Sequence, residues 1–139
     1  MTLLSVENLS VEFETNDGRV QAVDNINFSV DRGQSLAIVG ESGSGKSQTV
    51  FSLMGLLAQN GRASGRAVLD GQDILNIPTA QLNHISAERM AMIFQDPMTS
   101  LNPYMRVSDQ MAEVLMHHLG LSKRDAIKRS VDLLDAVRI

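Results

Sequence analysis

The sequence has no cysteine, so disulfide bonds and thiolate metal sites are excluded. It also has no basic excess: 12 Lys and Arg against 16 Asp and Glu give a formal net charge of −4, whereas nucleic-acid platforms usually carry a basic surface. Long apolar runs are missing, since no window approaches the roughly 18 apolar residues that a membrane span requires. The first residues lack the basic flank and apolar stretch of a secretory signal. We therefore expect a soluble chain that reaches a membrane only through a partner.

The apolar residues that are present, 43% of the 139, suffice for the core of one domain. The first part of the chain alternates loosely between polar and apolar positions around the turn signal Asn16–Gly18, which predicts short strands. Ser35–Val39 is a nearly continuous apolar run, as expected of a parallel strand buried on both faces. Met90–Phe94 is a second strand candidate.

Several segments after the apolar run Ser35–Val39 have apolar residues at helical spacing. Apolar positions from Val50 onward predict a helix that ends at Asn60–Gly61, a natural stop signal. Val107–Leu119 and Ser122–Val137 predict two more helices, and Ser122 with Asp125 predicts a capping box at the start of the second. A short helix is also expected within Ile77–Met90.

A glycine-rich segment, GESGSGKS at Gly40–Ser47, lies between the apolar run and the first helix and fits the pattern G-x-x-x-x-G-K-[ST]. Such a turn points successive backbone amides at a polyphosphate, and the following helix adds unpaired N–H groups and the positive end of its dipole. Lys46 supplies a full charge to the terminal phosphates, and the Ser47 hydroxyl can ligate a bridging Mg²⁺. The predicted nucleotide-binding residues are Gly40, Glu41, Ser42, Gly43, Ser44, Gly45, Lys46, Ser47 and Gln48, with Lys46 also in a catalytic role.

The alternative for this segment is a flexible surface loop that matches the pattern by chance, which its position between a strand and a helix disfavours. The chain has no G-x-G-x-x-G, so dinucleotide binding has little support. Phosphate loops serve GTPases, kinases, helicases and transport ATPases alike, so this motif alone leaves the function open.

A second motif narrows the choice. MIFQDPMTSLNPYMRV, Met92–Val107, resembles the Q-loop region of ABC-type ATP-binding subunits, and its string QDP-x-x-SLNP is similar to the oligopeptide and dipeptide permease branch. IVGESGSGKSQTV and the first strand region resemble the same branch, so the similarity extends over essentially the whole chain. It implies an α/β fold of the ABC-type phosphate-loop class. An antiparallel β region would occupy residues 1–34, the phosphate-loop core 35–97 and the start of a helical subdomain 98–139.

The resemblance also implies roles for two residues outside the loop. Gln95 would be catalytic and metal-ligating, because its neutral side chain offers an acceptor oxygen that can complete the Mg²⁺ shell or position water. Without the resemblance, Gln95 is simply a strand-end residue. Phe13 matches the aromatic residue that stacks on adenine in this family, although a phenylalanine in a strand is most often part of the core.

The implied function is that of an ATP-binding subunit that couples ATP hydrolysis to peptide uptake, with ATP and Mg²⁺ as cofactors. It would be peripheral at the cytoplasmic face of the cell membrane. Its partners would be transmembrane permease subunits, a second ATP-binding subunit and, indirectly, a periplasmic or extracellular solute-binding protein, with no nucleic acid. The segment Gln95–Val107, with Met98 and Tyr104, would dock on the permease.

Three other functions stay open. The chain could belong to an importer of nickel or another small solute, or be a catalytically incompetent nucleotide-binding fragment. A soluble ABC-type ATPase acting on nucleic acid is disfavoured by the acidic balance.

The remaining chemistry of the resembled family is missing from the chain. It contains no LSGGQ-like signature, no Walker B run that ends in Asp-Glu and no later switch histidine. The glutamate that would polarise the attacking water is therefore absent. We interpret the chain as the N-terminal part of an ATP-binding subunit, and we expect it by itself to bind nucleotide weakly, if at all, and not to hydrolyse it.

Overall fold

A computed structural model describes residues 1–96 and 100–139 of the chain. These residues form two compact units, Met1–Ser86 and Ala87–Ile139. Met98, which the sequence analysis places in a docking segment, lies outside the described residues.

The first unit is built on a four-stranded antiparallel sheet in the order β2-β1-β3-β4. The strands are β1 (Thr2–Thr15), β2 (Gly18–Asp31), β3 (Gly61–Leu69) and β4 (Gln72–Asp73). The predicted strands in the first part of the chain are therefore confirmed, but they form two strands of 14 residues rather than several short ones. Strand β1 lies in the middle of the sheet and pairs with both of its long neighbours.

An irregularity in β1 sets which of its side chains are buried. Val6, Leu9 and Val11 are buried, and the step from Val6 to Leu9 breaks the two-residue period of a strand. The register shifts between these positions because Asn8 adopts a left-handed conformation with φ 51°. A Cβ at Gly65 of β3 would overlap the Asn8 carbonyl, so glycine is required opposite this bulge. The bulge thus returns Leu9 and Val11 to the buried face.

Helix α1 (Lys46–Leu53) is shorter than the sequence predicts. Gly55, with φ 69°, follows the C-cap residue Met54, and a Schellman motif closes the helix. Its two hydrogen bonds run from the Leu56 N–H to the Phe51 carbonyl at 2.8 Å and from the Gly55 N–H to the Ser52 carbonyl at 3.4 Å. The expected stop at Asn60–Gly61 is therefore wrong, because Gly55 ends the helix first.

The two apolar strand predictions are also wrong. Ser35–Val39 and Met90–Phe94 are in no strand, and Val39 is 88% and Ile93 95% exposed. A strand forms only where a neighbour completes its hydrogen-bond ladder. Each described strand pairs antiparallel within the one sheet, and none pairs with either segment. An apolar run without such a neighbour stays irregular.

Three further α-helices are present in the described residues, as expected from the sequence: α2 (Thr79–Arg89), α3 (Val107–Leu119) and α4 (Lys123–Ala136). In the second unit α3 and α4 pack through small buried residues, Ala112 and Ala126. Ser122 caps α4 by accepting from the Asp125 N–H at 3.2 Å, which confirms one bond of the predicted capping box. No helix in the described part of the chain is long and apolar enough to cross a membrane.

Asp73 in β4 holds the turn that follows the sheet. Its Oδ1 accepts from the backbone N–H groups of Asn76 at 3.1 Å and Leu75 at 2.9 Å. The Asn76 N–H has the largest effect on the Asp73 pKa and lowers it; burial opposes it, and the Leu75 N–H adds to it, so the pKa lies below its ordinary value of 3.8. This stabilisation is present above the unfolded-state pKa and is lost as the pH falls through the folded-state pKa.

We predict that Asp73→Asn, which keeps the shape and an acceptor oxygen but removes the charge, is less stable than the wild type near neutral pH. The difference in free energy of unfolding should begin to shrink below about pH 4, where the unfolded chain takes up a proton at this carboxyl, and should be lost once the pH falls below the lowered pKa of the folded state. Urea unfolding of both proteins over a series of pH values measures it. A difference that stays constant from about pH 6 to about pH 3 would contradict the assignment.

Candidate functional site

The glycine-rich segment leads directly into α1, and its backbone geometry depends on two glycines. Gly43 and Gly45 have φ values of 80° and 89°, which non-glycine residues rarely adopt. Gly45 is the N-cap of α1, with no side chain to cap the first turn. The first N–H groups of a helix have no partner within the helix, so those of α1 are available to a ligand.

The loop is seated on β2 by a close backbone approach. A Cβ at Gly45 would overlap the Ala22 carbonyl oxygen and would lie 3.3 Å from Cγ2 of Val23. At this place β2 carries a bulge, because Glu12 pairs with Gln21 while Val11 pairs with Val23, leaving Ala22 as the extra residue. The bulge therefore frees the Ala22 backbone from the ladder at the point where the loop touches the sheet.

Thr49 fixes the first turn of α1 from inside. It is buried, and both its backbone N–H and its hydroxyl donate to the Gly45 carbonyl, at 2.9 and 3.1 Å. The N-terminal turn of the helix is therefore held against the loop glycine that contacts β2.

A cavity of about 300 Å³ opens at this helix end. It is lined by the N-terminal residues of α1, by the loop and by β2, namely Ala22, Gly43, Ser44, Gly45, Lys46, Ser47 and Gln48. The lining contains no acidic side chain, and the helix dipole places partial positive charge at its floor. Such an arrangement favours an anion, and phosphate groups are among those that helix N-termini bind.

Lys46 reaches back across the loop. Its ammonium donates to the carbonyls of Gly40 at 2.8 Å and Glu41 at 2.5 Å, and it lies 3.3 Å from Oγ of Ser44. These three acceptors come from both arms of the loop, so the ammonium closes the loop into a ring. Gly40 allows this closure, because a Cβ there would lie 2.7 Å from the Ser44 hydroxyl oxygen.

The predicted site residues are thus distributed unevenly. Gly43 through Gln48 line the cavity, whereas Gly40 and Glu41 contribute carbonyls to Lys46, and Ser42 is exposed. Gln95 lies in the second unit, exposed and outside any helix or strand. Ala22 is a lining residue that the sequence analysis missed, since it contributes through its backbone and only the bulge marks it.

Phe13 is linked to this cavity through the sheet. It lies in β1 and pairs with Val20 of β2 on one side and with Gly61 of β3 on the other. Val20 is two residues from Ala22, a distance of roughly 7 Å along a strand. The ring is half-buried. The sheet therefore connects the aromatic residue to the phosphate loop within the first unit.

Comparison with known proteins identifies the family to which this chain belongs. The ABC transporter family model matches residues 23–136, which include the glycine-rich segment, α1 and both helices of the second unit, α3 and α4. The chain belongs to the ABC transporter family.

Within this family the chain is similar to ATP-binding proteins of peptide transport. It is 59% identical to the oligopeptide transport ATP-binding protein OppD of Salmonella typhimurium and of Escherichia coli, over 99% of this chain. It is 47% identical to the dipeptide transport ATP-binding protein DppD of Lactococcus lactis, again over 99% of the chain. The chain spans only 40–41% of the length of these relatives. The predicted resemblance to the peptide branch is confirmed.

The fold is that of an ATP-binding cassette. A solved structure of the cassette MJ0796, a dimer bound to ADP and Pi, superposes with a TM-score of 0.81 over 95% of this chain and 56% of that one. A second dimeric structure of MJ0796 gives the same score. At 20% sequence identity this likeness shows the fold of the present chain alone, and it confirms the predicted α/β class.

We predict that Gly45→Ala destabilises the first unit more than Gly43→Ala. Both substitutions force a side chain into a left-handed conformation, at a cost on the order of 1 kcal/mol, but only the Cβ at Gly45 also meets the Ala22 carbonyl. At Gly43 a Cβ meets nothing within 4 Å, which makes it the matched control. Denaturant unfolding measures both, and equal losses would show that the loop is not seated on β2.

Proposed function

We propose that the chain acts in an ATP-binding subunit of a membrane importer, in which ATP hydrolysis is coupled to the uptake of peptides. The observation that carries the proposal is the cavity at the start of α1, which is lined by the first turn of the helix and by Lys46, in a chain similar to OppD and DppD. The peptide-transport part of the proposal rests on the names of those relatives, and the nucleotide-binding part rests on the cavity.

In the proposed binding step the triphosphate enters the cavity lined by Gly43–Gln48. Backbone N–H groups of the loop and of the first turn of α1 donate to its oxygens. The Lys46 ammonium then exchanges the neutral carbonyls of Gly40 and Glu41 for charged phosphate oxygens, because charge-assisted hydrogen bonds are roughly twice as strong as neutral ones. Lys46 is therefore the group whose partners change on binding.

Ser47 and Gln95 are the residues we assign to Mg²⁺. The Ser47 hydroxyl fits the ion, since it lines the cavity as a hard oxygen donor. Among residues 1–96 and 100–139 no group of three or more His, Cys, Asp or Glu could hold a metal. An ion held here would thus depend on the nucleotide for most of its ligands, as Mg²⁺ commonly does. When bound, Mg²⁺ neutralises charge that develops on the phosphates. Gln95 is assigned by its family motif.

Phe13 is the proposed platform for adenine. Its place in β1, one strand from the residue that lines the cavity, supports this role. Stacking of a base on an aromatic ring contributes about 1–3 kcal/mol in nucleic-acid systems. Together with the loop, Phe13 would complete a nucleotide site in residues 1–34 and 35–97, and residues 98–139 would begin the helical subdomain.

The proposed partners are transmembrane permease subunits, a second ATP-binding subunit and, through the permease, a solute-binding protein. The subunit would be peripheral at the cytoplasmic face of the membrane. The described part of the Gln95–Val107 segment supports a docking role because it is ordered yet exposed. Gln110 of α3 bonds both the Ser100 carbonyl and the Asn102 N–H, at 2.8 and 3.0 Å. Tyr104 is 95% exposed beside them.

We predict that Lys46→Ala lowers the affinity of the chain for MgATP by about tenfold or more, because it removes the ammonium that lines the cavity and would contact the phosphates. Titration followed by amide NMR signals of the loop detects binding even when it is weak. Lys128→Ala, which removes a lysine from the exposed side of α4, is the charge-matched control and should leave the affinity unchanged.

Unchanged affinity in Lys46→Ala, in a variant whose circular dichroism spectrum shows that the fold is preserved, would refute the phosphate-loop assignment.

The same preparations also test ATP hydrolysis. We expect no Lys46-dependent release of phosphate from the 139-residue chain, because it has no carboxylate assigned to the attacking water. Release above the Lys46→Ala background would show that no further residues are needed for hydrolysis.

The docking proposal predicts that a photoreactive amino acid at Tyr104 cross-links to permease subunits in membranes that contain the assembled transporter. The same amino acid at Val131, which is 60% exposed on α4, is the control for surface position. Cross-links to the permease from Val131 and not from Tyr104 would place the docking surface elsewhere.

A further inference from the structure

Gly61 of β3 lies directly opposite Phe13 of β1 in the sheet. Its backbone has no positive φ, so an L residue could adopt the conformation. Space is what excludes a side chain: a Cβ at Gly61 would lie 2.6 Å from Cε1 and 3.1 Å from Cδ1 of the Phe13 ring, and 3.1 Å from the Ala58 carbonyl oxygen. The ring therefore occupies the volume that any other residue at position 61 would fill.

Asn60, the residue before this glycine, is hydrogen-bonded to Glu14, the residue that follows Phe13 in β1. The Glu14 backbone N–H donates to the Asn60 carbonyl at 2.9 Å, and Nδ2 of Asn60 donates to the Glu14 carbonyl at 2.8 Å. A hydrogen bond from the Gly61 N–H to the Ala58 carbonyl, at 2.8 Å, orders the approach to β3. The dipeptide thus meets β1 at two successive residues: Gly61 pairs with Phe13, and Asn60 holds the backbone of Glu14.

We infer that Asn60 and Gly61 are positioning residues that set the ring of Phe13 for the nucleotide base. The inference rests on the proposed nucleotide site, since Phe13 is assigned to adenine there. Gly61 lets the ring lie close over β3, and Asn60 prevents the end of β1 from moving away from it. The half-buried ring keeps an open part, which is what a base requires for stacking.

A purely structural explanation has a different signature. Aromatic rings also cover glycines in sheets simply to complete packing, and loss of that packing would weaken every property of the first unit together. A positioning role affects only ligands that have a base. Tripolyphosphate occupies the phosphate loop but has no base, so it separates the two explanations.

The test is titration of the chain with Mg²⁺-ATP and with Mg²⁺-tripolyphosphate, followed by amide NMR signals of the loop. The quantity compared is the ratio of the two affinities. We expect Gly61→Ala and Phe13→Ala each to lower this ratio about fivefold, and to leave tripolyphosphate binding unchanged. Asn60→Asp keeps the size of the side chain but sets a carboxylate against the Glu14 carbonyl, so it should also lower the affinity ratio. This variant tests the inference if Gly61→Ala fails to fold.

A double-mutant cycle shows whether Gly61 acts through the ring. In the Phe13→Ala background, Gly61→Ala should have no further effect on the ratio, because no ring remains to be displaced. A ratio that stays at the wild-type value in Gly61→Ala and Asn60→Asp overturns the inference, as does an equal loss for both ligands. If Phe13→Ala leaves the ratio unchanged, the adenine platform fails and the inference with it. If the wild type binds neither ligand, the proposed function itself fails.

Discussion

The contact between Gly45 and the Ala22 carbonyl of β2 is the constraint on which the rest of the site depends. It seats the end of the glycine loop on the sheet, and Thr49 then ties the first turn of α1 to the same glycine. Because the position of a helix start determines where its unpaired N–H groups point, this backbone contact orients the whole anion site. The bulge at Ala22 makes the contact possible by removing one residue from the ladder.

The sheet carries the second half of the proposed nucleotide site. Its central strand β1 holds Phe13 between Val20, close to the phosphate loop, and Gly61, over which the ring lies. The bulges at Asn8 and Ala22, with Gly65 opposite the first of them, adjust the strands locally without breaking the sheet. This frame would hold the proposed base and phosphate sites at a set separation, because Phe13 lies in a paired strand and the phosphate loop is seated on the neighbouring strand β2.

Charge is distributed at the site in the way that an anionic ligand requires. The chain as a whole is acidic, yet the cavity is lined by backbone, hydroxyl and amide groups and one ammonium. The neutral partners of Lys46 satisfy its charge without competing strongly with phosphate. This balance agrees with membership of the ABC transporter family and with relatives that are named as ATP-binding proteins.

Local features were predictable from the sequence because their causes are local. The phosphate-loop pattern, the capping of α4 by Ser122, the two strands around Asn16–Gly18 and the last two helices depend on residues near each other in the chain. Ser35–Val39 shows the limit, since an apolar run becomes a strand only when another strand pairs with it. Ala22 and Gly61 show the same limit, because neither has a side chain that marks it as functional. Ala22 contacts Gly45 through its backbone carbonyl, and Gly61 leaves space for the ring of Phe13. The sequence by itself thus determined which chemical groups the glycine-rich segment offers to an anion, whereas the tertiary structure decided how β2 holds the loop and β3 holds the Phe13 ring, because close packing depends on pairs that no single segment contains.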